Sequence, residues 1–146
     1  MNGQTDSSLS VSISSAPASI SAITPNSVSP VLKQILTLSV ASFTGTLDID
    51  DLSVYAVATT NPSIVRYINV VEVGNDSGNQ YIKVKFGGSE SGLYNVFVRS
   101  RAYGRFDTTG ITLKLIGVVT DYNPKQGSVH GGTLITITGY HFSNDY

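Results

Sequence analysis

The sequence predicts an all-β sandwich: one complete module with a partial module on either side. Three observations predict it. Apolar and polar residues alternate over short runs, clusters of Gly, Asn, Asp and Ser interrupt those runs about every ten residues, and no stretch carries a 3.6-residue apolar period of helix length. Composition agrees: charged residues make up only 13% of the 146, and Ser, Thr, Gly and Val fill their place, a mix that suits strands and turns better than helices.

The strands follow in order. Leu36, Leu38 and Val40 alternate with Thr37 and Ser39, and Val54 and Ala56 come after a turn-rich stretch from Thr44 to Asp51. A longer apolar run extends from Ile64 to Val73 and ends at the turn signal Asn75-Asp-Ser-Gly-Asn79. Ile82, Val84 and Phe86 alternate with Tyr81, Lys83 and Lys85; a Gly-rich break at 87–92 follows. Tyr94, Val96 and Val98 then alternate with Asn95, Phe97 and Arg99, a hairpin connection is expected from Arg101 to Thr109, and Ile111, Leu113 and Leu115 close the module. Each inward set belongs to one core between two sheets about 10 Å apart.

An internal repeat sets the boundaries. Ile20-Ser-Ala-Ile-Thr-Pro25 overlays Val119-Thr-Asp-Tyr-Asn-Pro124 at an offset of 99 residues. At the same offset Leu36, Thr37 and Leu38 meet Ile135, Thr136 and Ile137, and Phe43 meets Phe142. Further upstream, Leu9, Val11 and Ile13 resemble Ile111, Leu113 and Leu115 if the joint at Ala16-Pro17-Ala18 is three residues longer. A period near 100 residues is that of one immunoglobulin-like module. The expected organisation is the last strand of a preceding module, or an N-terminal strand, in 1–16, a complete sandwich in 17–118, and the opening strands of the next module in 119–146. The start, Met1-Asn2-Gly3-Gln4, lacks the basic and apolar regions of a signal peptide, and the sequence reads as a window from a longer chain.

Composition also bounds function. A net charge of −1 argues against nucleic acid as partner, since phosphate binding normally requires a large basic excess. The absence of cysteine removes disulfides, thiolate metal sites and cysteine nucleophiles. No apolar run reaches the ~18 residues of a membrane helix, so no direct membrane insertion is expected.

The segment Asn123-Pro-Lys-Gln-Gly-Ser-Val-His-Gly-Gly-Thr-Leu-Ile-Thr-Ile-Thr-Gly-Tyr-His-Phe142 resembles the opening of an IPT/TIG domain. The resemblance is carried by Pro124, Gly127, Ser128, Gly131, Gly132, Thr133, Ile135, Ile137, Gly139 and Phe142. In this reading Pro124 opens the first strand, Gly131-Gly132 makes a tight turn into the second, Gly139 lets the chain bend, and Phe142 caps the sandwich end. The span 17–118 is similar to the family in its order of features, but Ser29-Pro-Val-Leu32 stands in place of the Gly-Gly-Thr signature. Positions where many extracellular members carry a disulfide hold Val65 or Ile68 and Val84 instead. Its nearest resemblance is to the divergent tandem modules of fibrocystin-like cell-surface proteins. This implies an E-set immunoglobulin-like sandwich in a secreted or cell-surface array.

Candidate sites are few. Asp48, Asp50 and Asp51 form a carboxylate cluster that could hold Ca²⁺, against the plainer reading of a solvated loop without the spacing of a known calcium motif. Phe97, Arg99, Arg101, Tyr103, Arg105 and Ile116 are a candidate interaction surface: the arginines offer forked donors to acidic glycans or phosphates, and Phe97 and Ile116 point outward on adjacent strands. Asn75-Asp-Ser77 is an N-glycosylation sequon on a turn, and the Ser/Thr-rich N-terminal stretch has a composition compatible with O-glycans. His130 and His141 lack a neighbouring acid and nucleophile, and no phosphate loop or nucleophile elbow occurs. The chain is therefore read as non-enzymatic and cofactor-free, with a structural or adhesive role at the cell surface or in a fibre, and with neighbouring copies or modules as partners. The alternatives are an ectodomain that binds a protein or glycan ligand through its loops, and an intracellular module attached to a transcription factor or enzyme.

Overall fold

The computed structural model describes residues 17–29, 33–87 and 90–142. The proposed strand at Leu9, Val11 and Ile13 lies outside them. The described residues form eleven strands and one 3₁₀ turn at Ile49–Asp51. The strands are β1 (Ser19–Thr24), β2 (Ser27–Val28), β3 (Ile35–Ala41), β4 (Leu52–Ala58), β5 (Val65–Asp76), β6 (Asn79–Lys85), β7 (Gly92–Ser100), β8 (Gly104–Arg105), β9 (Thr112–Leu115), β10 (Val118–Asn123) and β11 (Thr136–Tyr140).

The first nine strands make an immunoglobulin-like β-sandwich. One layer runs β1-β3-β6-β5; the other runs β5-β4-β7-β9-β2, with β8 paired to β7. β5 belongs to both: Val65 to Ile68 pair with β4, and Asn69 to Asp76 pair with β6. A register shift between Val70 and Glu72 follows the crossing, the kind of irregularity by which a strand bends from one sheet into another. In sequence this stretch is one long apolar run; the passage between layers lies in the pairing. β2 pairs in parallel with β9, and Ser19 bridges Asp107, so the open edges of the layers are drawn together.

The expected inward residues fill the core. Leu36, Leu38, Ile82, Val84, Val54, Ala56, Tyr94, Val96, Val98, Leu113 and Leu115 are all buried. Burying each large apolar side chain is worth ~1.5–3 kcal/mol. Phe106 joins them at 1% exposure. It lies in the stretch expected to be a hairpin connection, where no periodicity surrounds it to signal burial. The turn at Ser77-Gly78 carries φ of 51° and 89°. Both central residues are thus left-handed, as a two-residue hairpin whose twist matches its strands requires.

Two expectations about the C-terminal segment change. Pro124 follows β10, so it closes that strand instead of opening it; the last pair of the ladder is Asn123↔Thr136, and a residue without an N–H cannot extend it. Gly139 does not serve as a bend. It sits within β11, where a Cβ would fall 2.2 Å from the Val118 carbonyl oxygen, so only glycine permits that strand approach.

Candidate functional site

The three aspartates of the candidate calcium cluster do not converge. Asp48 caps the 3₁₀ turn, its Oδ1 accepting from the Asp50 amide at 3.0 Å. Asp51 turns instead to the β7–β8 hairpin, where its carboxylate accepts from the Ser100 hydroxyl and the Ala102 amide. The Ser100 hydrogen bond, then that of Ala102, holds the Asp51 carboxyl below its ordinary range. Among the described residues no group of three His, Cys, Asp or Glu could hold a metal ion. Oxygens of Asp48 and Asp51 that a cation would have needed accept instead from the Asp50 amide, the Ser100 hydroxyl and the Ala102 amide.

The six residues of the candidate interaction surface fall into three places. Arg99 and Arg105 are cross-strand partners on β7 and β8, and the Arg105 guanidinium lies 4.9 Å from the Phe97 ring centre. Tyr103 instead packs edge-on against Phe43, with centroids 4.8 Å apart, beside the exposed Arg101 in the turn at one end of the sandwich. Ile116 follows β9, whose Leu115 pairs with Gly92 at the far end of β7 from Arg99. A single patch joining Phe97 and Ile116 is therefore ruled out by register: the two stand five or six residues apart along the strand direction, about 17–20 Å.

Two aromatic residues missing from the sequence reading complete the Phe97 site. Tyr55 pairs with Phe97 on one side and with Tyr67 on the other. Their ring centres are 5.2 Å and 6.0 Å apart respectively. Tyr67, Tyr55, Phe97 and Arg105 thus form a row across the outer face of the β5-β4-β7 layer. The alternation could have placed Tyr55 outward, but the identity of its neighbours depends on strand order, which no local pattern encodes.

Asn75 is exposed at the end of β5, and its Oδ1 accepts from the Gly78 amide at 2.9 Å. His130 is exposed in the loop before β11, and His141 follows that strand. Among the described residues no helix is long and apolar enough to cross a membrane.

The last two strands repeat the geometry of β1 and β3. β1 pairs with β3 as Ser19↔Ala41, Ile20↔Val40, Ala22↔Ser39, Ile23↔Leu38 and Thr24↔Thr37. β10 pairs with β11 as Val118↔Tyr140, Val119↔Gly139, Asp121↔Thr138, Tyr122↔Ile137 and Asn123↔Thr136. Every pair is displaced by 99 residues, and the register shift falls at the same place. At that shift the Ser21 hydroxyl donates to the Ser39 carbonyl at 3.3 Å, and the Thr120 hydroxyl to the Thr138 carbonyl at 3.1 Å. Ser42 and His141, again 99 apart, leave their strands with φ of 55° and 56°.

Residues 118–146 match the IPT/TIG domain family. No curated protein matches the chain. The glycine-rich loop of the IPT/TIG segment places Gly131 and Gly132 at φ of 82° and 75°, left-handed values that favour glycine at both positions, and Ser128 is tied across the loop by its amide to the Thr133 hydroxyl at 2.8 Å. Burial separates the IPT/TIG strand pair from its counterpart. Ile23 and Leu38 are 9% and 0% exposed, whereas Tyr122 and Ile137 at the equivalent positions are 48% and 58% exposed. Leu134, Ile135, Val119 and Phe142 are exposed with them. The joint between the pairs is short: the Ile116 amide still donates to Val28 of the first sandwich, and Gly117 already lies against the His141 backbone, where a Cβ would be 3.0 Å from its carbonyl oxygen.

Proposed function

We propose that this chain is part of a tandem array of immunoglobulin-like modules of about 100 residues, with a structural or adhesive and non-catalytic role at the cell surface or outside the cell. The observation that carries this reading is the strand pair β10–β11. It has the pairing of β1–β3, residue for residue, yet its apolar face is exposed. In the first sandwich the matching face is covered by the layer that contains β4, β7 and β9. A two-stranded ribbon is at best marginally stable in water. An equivalent layer from the next module in the same polypeptide would cover it, with β10 and β11 as that module's opening strands. The two-residue joint, held on both sides, suits a stiff succession of modules more than beads on a loose string. The surface location is supported by the resemblance to fibrocystin-like modules and by the exposed sequon at Asn75.

The native protein, recovered from its source with an antibody raised to the 19–115 sandwich, tests this. Limited proteolysis followed by mass spectrometry should yield a ladder of resistant fragments spaced by about 100 residues. A native polypeptide containing one immunoglobulin-like module, or one joined to a catalytic domain, would overturn the reading.

A further inference from the structure

We infer that the outer face of the layer formed by β4, β7 and the Val65–Ile68 half of β5 binds an acidic polysaccharide. This does not depend on the array reading, because the site lies wholly within the first sandwich.

Three observations lead there. First, Tyr67, Tyr55 and Phe97 stand side by side across three neighbouring strands, and Arg105 closes the row over Phe97. Tyr67 is 83% exposed at the open end. A cross-strand pair stabilises a sheet, but that role does not require the outermost ring to stand in water. Second, charge is one-sided. The outward positions of β4, β7, β8 and β9, together with Tyr67, carry Arg99, Arg105 and Lys114 and no carboxylate, although the chain as a whole is at −1; Arg66 pairs with the buried Ala56 and belongs to the other face. Asp50 and Asp107 stand at the two rims, and Asp107 is already engaged by the Thr109 amide and hydroxyl. Third, a shallow cleft lined by Asn95, Phe97, Arg105, Asp107 and Thr109 adjoins the row, which places amide, hydroxyl and guanidinium groups beside an aromatic ring.

That combination fits sugars better than a peptide. Aromatic rings attract the C–H faces of a pyranose through their negative π faces; the ring free to do so is Tyr67, since Phe97 lies between Tyr55 and Arg105. Arginine forks match carboxylate or sulfate oxygens. An extended peptide needs a free strand edge to donate to. Along the row, however, β4 is paired on both sides, with β5 and β7, so a peptide strand could add only at the outer edge of Val65–Ile68, two strands away from Phe97 and Arg105.

The test is titration calorimetry of the full chain against heparin, polygalacturonate, neutral dextran and polyglutamate. The expected result is binding to at least one of the two acidic polysaccharides, weakening as salt rises, with none to dextran and markedly weaker binding to polyglutamate. Arg99→Ala with Arg105→Ala should weaken it tenfold or more. Tyr67→Ala should weaken it severalfold without changing the melting temperature, and Tyr67→Phe should retain it. Lys83→Ala, in the opposite layer, should leave it unchanged. The inference is overturned if neither acidic polysaccharide binds, if polyglutamate binds as tightly, or if a folded Tyr67→Ala variant binds like the parent.

Discussion

Leu38 and Ile137 occupy the same register position in two copies of one strand pair, and truncating each to alanine reads out what covers it. Leu38 is 0% exposed and pairs with Ile23 and Ile82 inside the sandwich. Removing its side chain beyond Cβ forfeits transfer energy and leaves a cavity, together about 2–5 kcal/mol. For a sandwich of this size each kcal/mol lowers the melting temperature by about 4–8 °C, so Leu38→Ala should melt at least ~8 °C below the parent. Ile137 is 58% exposed, and a surface truncation of this kind changes stability by less than about 0.5 kcal/mol. Circular dichroism melts and urea titrations of both variants in the 146-residue chain are the measurement. In a polypeptide that includes the following module, the proposal requires Ile137→Ala to become as costly as Leu38→Ala. Equal destabilisation by the two variants in the short chain would refute the reasoning, since it would mean that β10–β11 is already packed into a core.

Three further outcomes are expected. Val96→Asp places a carboxylate at a position 1% exposed in β7 and should abolish the cooperative melt; a normal transition would reject the assignment of faces. Asp51 has its carboxyl held below the ordinary range by Ser100 and Ala102, so its contribution is fully present above about pH 4 and disappears as pH falls through the lowered value. The parent should therefore lose stability on acidification in that window, Asp51→Asn should lose less, and identical acid melting profiles would exclude the hairpin link as the source. Expression through a secretory pathway should add a glycan at Asn75, seen as a mass increment that Ser77→Ala removes; an unmodified Asn75 in a chain shown to have been secreted would remove the sequon from the case for a surface protein.

Sequence alone determined the two-residue alternation, and with it the all-β class, the inward residues and the 99-residue repeat, because which side of a strand faces the core is written in consecutive side chains. Even the tight turn at Ser77-Gly78 was legible, since its left-handed backbone calls for particular residues. What only the tertiary structure decided concerns which strands lie beside one another. The passage of β5 between layers, the burial of Phe106, the row of Tyr67, Tyr55 and Phe97, and the scattering of Asp48, Asp50 and Asp51 all depend on pairings between residues far apart in the chain. The Asp51–Ser100 link spans 49 positions. Such contacts arise from the packing of one sheet upon another, a collective balance of burial against chain entropy that no local stretch of residues specifies.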